Sequence, residues 1–186
     1  KITCYSETND ESELAKCEKT LKNTNNAWYN GSVKLSLDEK VTKNVSDYRW
    51  QGLTGESSNE KEIIVTTDNV KSTTFNLSLT YEDGTSESSS AVVQIDNQKP
   101  IIIDIVKNDN WAGSKKSITV NANDSSGSGI FGYYVGKNEA CNGEYVTNNK
   151  FDLEVGKYYV CVKDNAGNIS DVSSFEIDKI DTIKPV

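Results

Sequence analysis

The stretch Lys157–Ile177 (KYYVCVKDNAGNISDVSSFEI) constrains this chain more than any other. Tyr158, Val160 and Val162 alternate with Lys157, Tyr159, Cys161 and Lys163, the period of two that marks a half-buried strand. Asp164-Asn165-Ala166-Gly167-Asn168 follows. Asp and Asn side chains bond nearby backbone and Gly accepts a positive φ, so this run predicts a turn. A second alternating run, Ile169 to Ile177, returns. The same hairpin occurs earlier: Phe75, Leu77, Leu79 and Tyr81 alternate, Glu82-Asp83-Gly84 turns, and Ala91 to Ile95 returns.

Other landmarks repeat as well. Asn25-Asn26-Ala27-Trp28 is echoed by Asn108-Asp109-Asn110-Trp111, with the tryptophans 83 residues apart. Gly31-Ser32 is echoed by Gly113-Ser114, and Val33, Leu35 and Leu37 by Ser117-Ile118-Thr119-Val120. Tyr48-Arg49-Trp50 corresponds to the aromatic run Phe131 to Val135. Ile63-Ile64-Val65 matches Tyr145-Val146 or Phe151-Asp152-Leu153. The Ile-Asp pairs at Ile95 and Ile177 are 82 apart. An offset held near one value is a tandem repeat. The two prolines, Pro100 and Pro185, sit at matching links, and Ile101 to Val106 reads as the first strand of the second unit.

The expected organisation is an N-terminal extension over 1–20, one domain over 21–97, a second over 98–180, and the start of a further linker or repeat over 181–186. The extension carries a charged run, Glu11 to Thr20, predicted as a short helix capped by Ser12. Four cysteines allow three pairings. Local pairing, Cys4 with Cys17 and Cys141 with Cys161, is the simplest and implies an oxidising compartment. The chain reads as a piece of a longer protein, and it has no apolar run long enough to span a membrane.

Composition excludes several functions. The net charge is −8, against the basic footprint that nucleic acid requires. There is no histidine, so no Ser-His-Asp or Cys-His site exists within the chain, and a zinc or haem site would need Cys and carboxylates alone. The carboxylate pairs Asp38-Glu39 and Glu82-Asp83 fall on predicted turns, with nothing to desolvate them as glycoside hydrolysis requires. No catalysis is expected.

Short strands at this spacing predict an all-β sandwich fold. The run VKDNAGNIS, the Asn-x-x-Trp entry followed by Gly-Ser, and the Asp-x-x-x-Pro link together resemble the bacterial immunoglobulin-like repeats of Gram-positive surface proteins. The likeness covers Pro100 to Asp178 and, more loosely, Leu21 to Asp96. It implies two tandem immunoglobulin-like β-sandwiches behind a short disulfide-closed N-terminal extension, serving as stalk, spacer or adhesion modules of a secreted, cell-surface or cell-wall protein. Some such domains carry a Lys–Asn isopeptide bond, which the sequence does not locate. Antibody-type domains bridge their sandwich from a cysteine near Thr119, and none stands there. Aligning Asp83 with Asp164 sets Thr80 on Cys161, so Cys161 is expected to face outward and Cys141–Cys161 to be a surface staple.

Two candidate sites remain. Trp28, Trp50 and Trp111, with Tyr29, Tyr133 and Tyr134, are the types that stack on sugar rings or form a partner face. The competing expectation has Trp28 and Trp111 capping the base of each sandwich, and Trp50 and Tyr134 filling the cores. Asp164, Asn165 and Asn168, or Asp96 and Asp178, offer oxygen ligands for calcium, but the same residues populate turns for local reasons. No other cofactor is expected. The expected partners are cell-wall or host glycans or proteins, met by a monomer, with a carbohydrate- or host-protein-binding module, or one accessory to a larger secreted enzyme, as the alternative to a spacer.

Overall fold

A computed structural model describes residues 2–6, 28–37, 43–53, 56–65, 70–125 and 127–183, with the side chains of 2–6, 37, 53, 56–58, 70 and 71 left outside that description. The chain divides into two compact units, Lys1–Asn97 and Gln98–Val186. Among the described residues all regular structure is β, and no helix is long and apolar enough to cross a membrane. The expected helix over 11–20 and the Cys4–Cys17 closure lie outside the described residues.

In the first unit the strands are β1 (Ile2–Ser6), β2 (Val33–Leu37), β3 (Val45–Leu53), β4 (Glu56–Ser58), β5 (Glu62–Val65), β6 (Val70–Tyr81) and β7 (Ser86–Ile95). One sheet has the order β1-β2-β5 and the other β4-β3-β6-β7. The alternating apolar residues close on each other: Val33 and Leu35 from β2 and Val65 from β5 meet Trp50, Phe75, Leu77, Leu79, Ala91 and Val93. Gly52 makes the bulge in β3 possible. Its φ is +155°, and a Cβ there would stand 2.8 Å from the Phe75 Cα and the Thr74 carbonyl oxygen.

The second unit has β8 (Ile101–Lys107), β9 (Lys116–Asn123), β10 (Ile130–Gly136), β11 (Lys150–Leu153), β12 (Gly156–Asp164) and β13 (Ser173–Ile177). Its sheets run β11-β9-β8 and β10-β12-β13. Ile118 and Val120 of one sheet pack with Tyr158, Val160, Val162 and Ile177 of the other. Phe151 and Leu153 pair with β9 as Ile63 pairs with β2, so β11 is the counterpart of β5.

The structure corrects the match of the Ile-Asp pairs. Tyr29 bridges Ile95, and its backbone bonds Gln94 and Asp96. Ala112 bridges Ile180, and its backbone bonds Lys179 and Asp181. The repeated element is therefore Ile95-Asp96-Asn97-Gln98-Lys99-Pro100 with Ile180-Asp181-Thr182-Ile183-Lys184-Pro185, 85 residues apart. Strand β13 ends at Ile177, and Lys179 adopts a left-handed φ of 55°, so the chain turns once more before it makes the bridge. Tyr134 is the second correction, and its cause is a bulge. The register of β10 shifts between Ile130 and Gly132, which turns Tyr133 toward the core and Tyr134 away from it.

Candidate functional site

Three features of the second unit carry candidate functional side chains. The first is the outer face of sheet β10-β12-β13. Cys141 and Cys161 are joined, their Cα atoms 6.2 Å apart. Cys161 opposes Tyr134 across β10 and β12, on the face opposite Val160 and Val162. The bond pulls the loop after β10 down over this face, where Tyr134, Cys141 and Cys161 form a separate small cluster with Tyr145 against it. Tyr133 exchanges two backbone bonds with Val146, which fixes the far end of the loop. Gly143 lets the loop lie flat: a Cβ there would stand 2.6 Å from the Tyr134 ring. Burial and the neighbouring Tyr134 hydroxyl raise the pKa of Tyr145. Lys163 Nζ lies 5.8 Å from the ring centroids of both Phe131 and Tyr145.

The second feature is the turn that ends β12. Asp164 is buried and accepts bonds from the Asn168 backbone and side-chain amide, each 2.8 Å. Asn165 donates its side-chain amide to the Ser128 and Gly129 carbonyls, and Ser128 Oγ accepts from the Ala166 amide. Asp124 accepts from the Gly129 amide at 2.6 Å. The run Asp164 to Asn168 thus works first as a turn lock that ties two loops together. Asp124 and Asp164 also bring carboxylate oxygens within 4.8 Å of each other. They are hard oxygen donors of the kind calcium takes, though calcium needs six to eight. Asp178, one of the candidate oxygen donors, lies 4.0 Å from the ammonium of Lys116. In the first unit, Asp96 is buried and its amide donates to the Tyr29 carbonyl.

The tryptophans part company. Trp50 is buried among aliphatic side chains, with its indole N–H donating to the Glu60 carbonyl at 2.9 Å, so it offers no face to a ligand. Trp28 is half-buried, and Tyr29 is buried in the first core. Trp111, expected to cap its sandwich, is 71% exposed. It projects from the loop between β8 and β9, beside Asn108, Asp109 and Asn110. It is the third feature, and the most exposed tryptophan of the three.

The carboxylate pair Asp38-Glu39 lies outside the described residues. Glu82 and Asp83 sit exposed on the β6–β7 turn. Bonds from the Thr85 hydroxyl and amide, then from Lys43, lower the Asp83 pKa to about 2. An acid catalyst needs the opposite shift.

Two lysines with structural roles were not legible in the pattern. Lys116, 4% exposed, holds the position on β9 that Val33 holds on β2. A charged residue in an alternating run reads as outward, so it gave no signal. Lys137, exposed just after β10, lies with Nζ 3.9 Å from the centroid of the Tyr158 ring, a cation–π contact. The Asn165 bonds to Ser128 and Gly129 join loops far apart in sequence, which no local motif announces.

No protein-family model and no curated protein matches the chain. Solved structures do. The chain is similar to domains A168–A170 of titin, with a TM-score of 0.60 and 10% identity over 97% of this chain and 66% of that one. It is similar to murine CEACAM1b, with a TM-score of 0.53 and 9% identity over 96% and 99%. Fibronectin(III)-like modules of Clostridium thermocellum CbhA align with a TM-score of 0.46 and 16% identity over 84% and 90%. At these identities the first two likenesses show the fold alone: all-β, immunoglobulin-like.

Proposed function

We propose that this chain is a non-catalytic structural or adhesive segment, a pair of stalk or spacer modules from an extracellular bacterial surface protein. The observation that carries this reading is the closing element made twice. Ile-Asp-x-x-Lys-Pro ends each unit, and in both the same pattern of backbone bonds ties it to the residue after a tryptophan. A module that ends the same way each time is built for serial repetition rather than for one reaction. The Cys141–Cys161 bond supports an oxidising location.

A second reading rests on Trp111. A tryptophan 71% exposed beside amide and carboxylate side chains suits a sugar ring or a protein loop, and would make the second unit a binding module. One screen separates the two: the purified chain on a glycan and extracellular-protein array, with and without Ca²⁺, since Asp124 and Asp164 offer oxygen donors. The spacer reading expects no specific hit in either condition. A hit lost in Trp111→Ala, with unfolding unchanged, overturns it in favour of the binding module.

A further inference from the structure

We propose that Asn142 is a site of spontaneous modification, at which the disulfide-anchored loop passes from an asparagine to an aspartate or isoaspartate form. The co-reactant is water. The Gly143 backbone nitrogen bonds to Cγ of Asn142, and the bond from Cγ to the side-chain nitrogen breaks. That nitrogen leaves as ammonia, taking the proton of the Gly143 amide, and a cyclic imide remains. Water then opens the ring at either carbonyl. One opening gives aspartate; the other gives isoaspartate, in which the chain runs through Cβ. The sum is asparagine plus water giving acid plus ammonia, with nothing oxidised or reduced.

The attack is hindered wherever a side chain crowds the nitrogen, and glycine has none. The chain holds two Asn-Gly pairs, Asn30-Gly31 and Asn142-Gly143. Packing explains the glycine at 143: a Cβ there would stand 2.6 Å from the Tyr134 ring. The loop needs glycine to lie flat, so the fold itself calls for half of the reactive pair. Asn142 supplies the other half. It is exposed, and its side-chain amide bonds no other group among the described residues. Nothing holds the carbonyl away from the nitrogen.

The competing positions are held. Asn30 is half-buried, and the Gly31 amide donates to the Asn97 side chain, in the element that closes the first unit. At Asp83-Gly84 the ring would form from a carboxylate, a poorer electrophile than an amide, and Thr85 and Lys43 already bond it. The Gly143 amide also donates, to the Cys141 carbonyl at 3.0 Å, but that bond closes only a local turn in an exposed loop. Opening it draws on the low end of the stability range, whereas freeing Gly31 means undoing the closing element.

The anchors of the loop give the change an effect. Cys141 is fixed to Cys161, and Val146 exchanges two backbone bonds with Tyr133. Isoaspartate adds a carbon to the backbone between these anchors. The extra length is taken up at Gly143, against the Tyr134 ring. Either product also adds a negative charge beside exposed Glu139 and Glu144. The modified loop therefore grips Tyr134 and Tyr145 less tightly, and the face it covers becomes more acidic.

The test is incubation of the full, disulfide-bonded chain in warm, mildly alkaline buffer, beside a sample unfolded in urea. Cleavage at lysine isolates residues 138–150 joined to 158–163 through the disulfide. That peptide should gain the mass difference between amide and acid, and an isoaspartyl methyltransferase should label it. The expected rate at Asn142 in the folded chain is within about threefold of the unfolded rate, while Asn30 is slowed at least about tenfold by folding. In the isolated isoaspartate form the Val146 amide should exchange faster than in the parent. Asn142→Gln, a change at an exposed side chain, should abolish the label on that peptide and leave the melting curve unmoved. An Asn142 that converts only in the unfolded sample overturns the proposal, as does an Asn30 that converts as fast in the folded chain. An isoaspartate form whose Val146 amide is fully protected overturns the effect on the loop.

Discussion

Replacing Cys141 and Cys161 together by alanine tests whether the disulfide is a peripheral staple or a bolt through the sandwich. The two residues are 20 positions apart. In the chain-entropy model a cross-link over that separation stabilises by about 3 kcal/mol, all through the unfolded chain. The folded state loses less. Neither cysteine belongs to the cluster of Ile118, Val120, Tyr158, Val160, Val162 and Ile177, and only the small group of Tyr134 and Tyr145 beneath the loop is uncovered. For a unit of this size, about 3 kcal/mol lowers the melting temperature by about 12–24 °C. Calorimetry of the whole chain should show one transition falling by that amount and the other unmoved. Hydrogen exchange well below the transition should show residues 138–146 losing protection while β9 and β12 keep theirs. If protection collapses across β9 and β12 under those conditions, the pair supports the core directly and the outward assignment of Cys161 is wrong. A loss below about 1 kcal/mol would refute the loop-entropy argument instead.

Trp50→Ala should cost the first unit about 3–5 kcal/mol in urea unfolding, from the cavity left in its core, and leave the second unit unchanged. Lys116→Val should stabilise the second unit by about 1–2 kcal/mol. It removes a buried ammonium whose ion-pair partner Asp178 is exposed and 4.0 Å away; a net loss in the same assay would show that the pair outweighs the desolvation. Asp83, depressed to about 2 from an ordinary 3.8, contributes its turn bonds fully above pH 3.8 and loses them as the pH falls toward 2. The Thr85 amide resonance should therefore move with a midpoint near 2, and Asp83→Asn should abolish that titration.

How far the sequence could be read depended on where its period of two holds. In β12 the alternation runs unbroken from Tyr158 to Val162, so aligning Leu79 with Val160 put Cys161 outward, where the structure has it. In β10 one extra residue at Phe131 shifts the register, and everything after it changes face. Tyr134, expected to fill the core, becomes the floor of the stapled loop. Lys116 breaks the pattern in another way, since its position faces inward whatever its charge. The candidate site was legible only in its local parts. The bonds within Asp164 to Asn168 follow from the residue types, whereas the reach of Asn165 to Ser128 and Gly129 depends on which loops the sheets bring together. The run Ile101-Ile102-Ile103-Asp104-Ile105-Val106 makes the same point most sharply. Continuous apolar character is the mark of a strand covered on both faces. Here it belongs to an edge strand, and Ile101, Ile103 and Val106 stand in solvent.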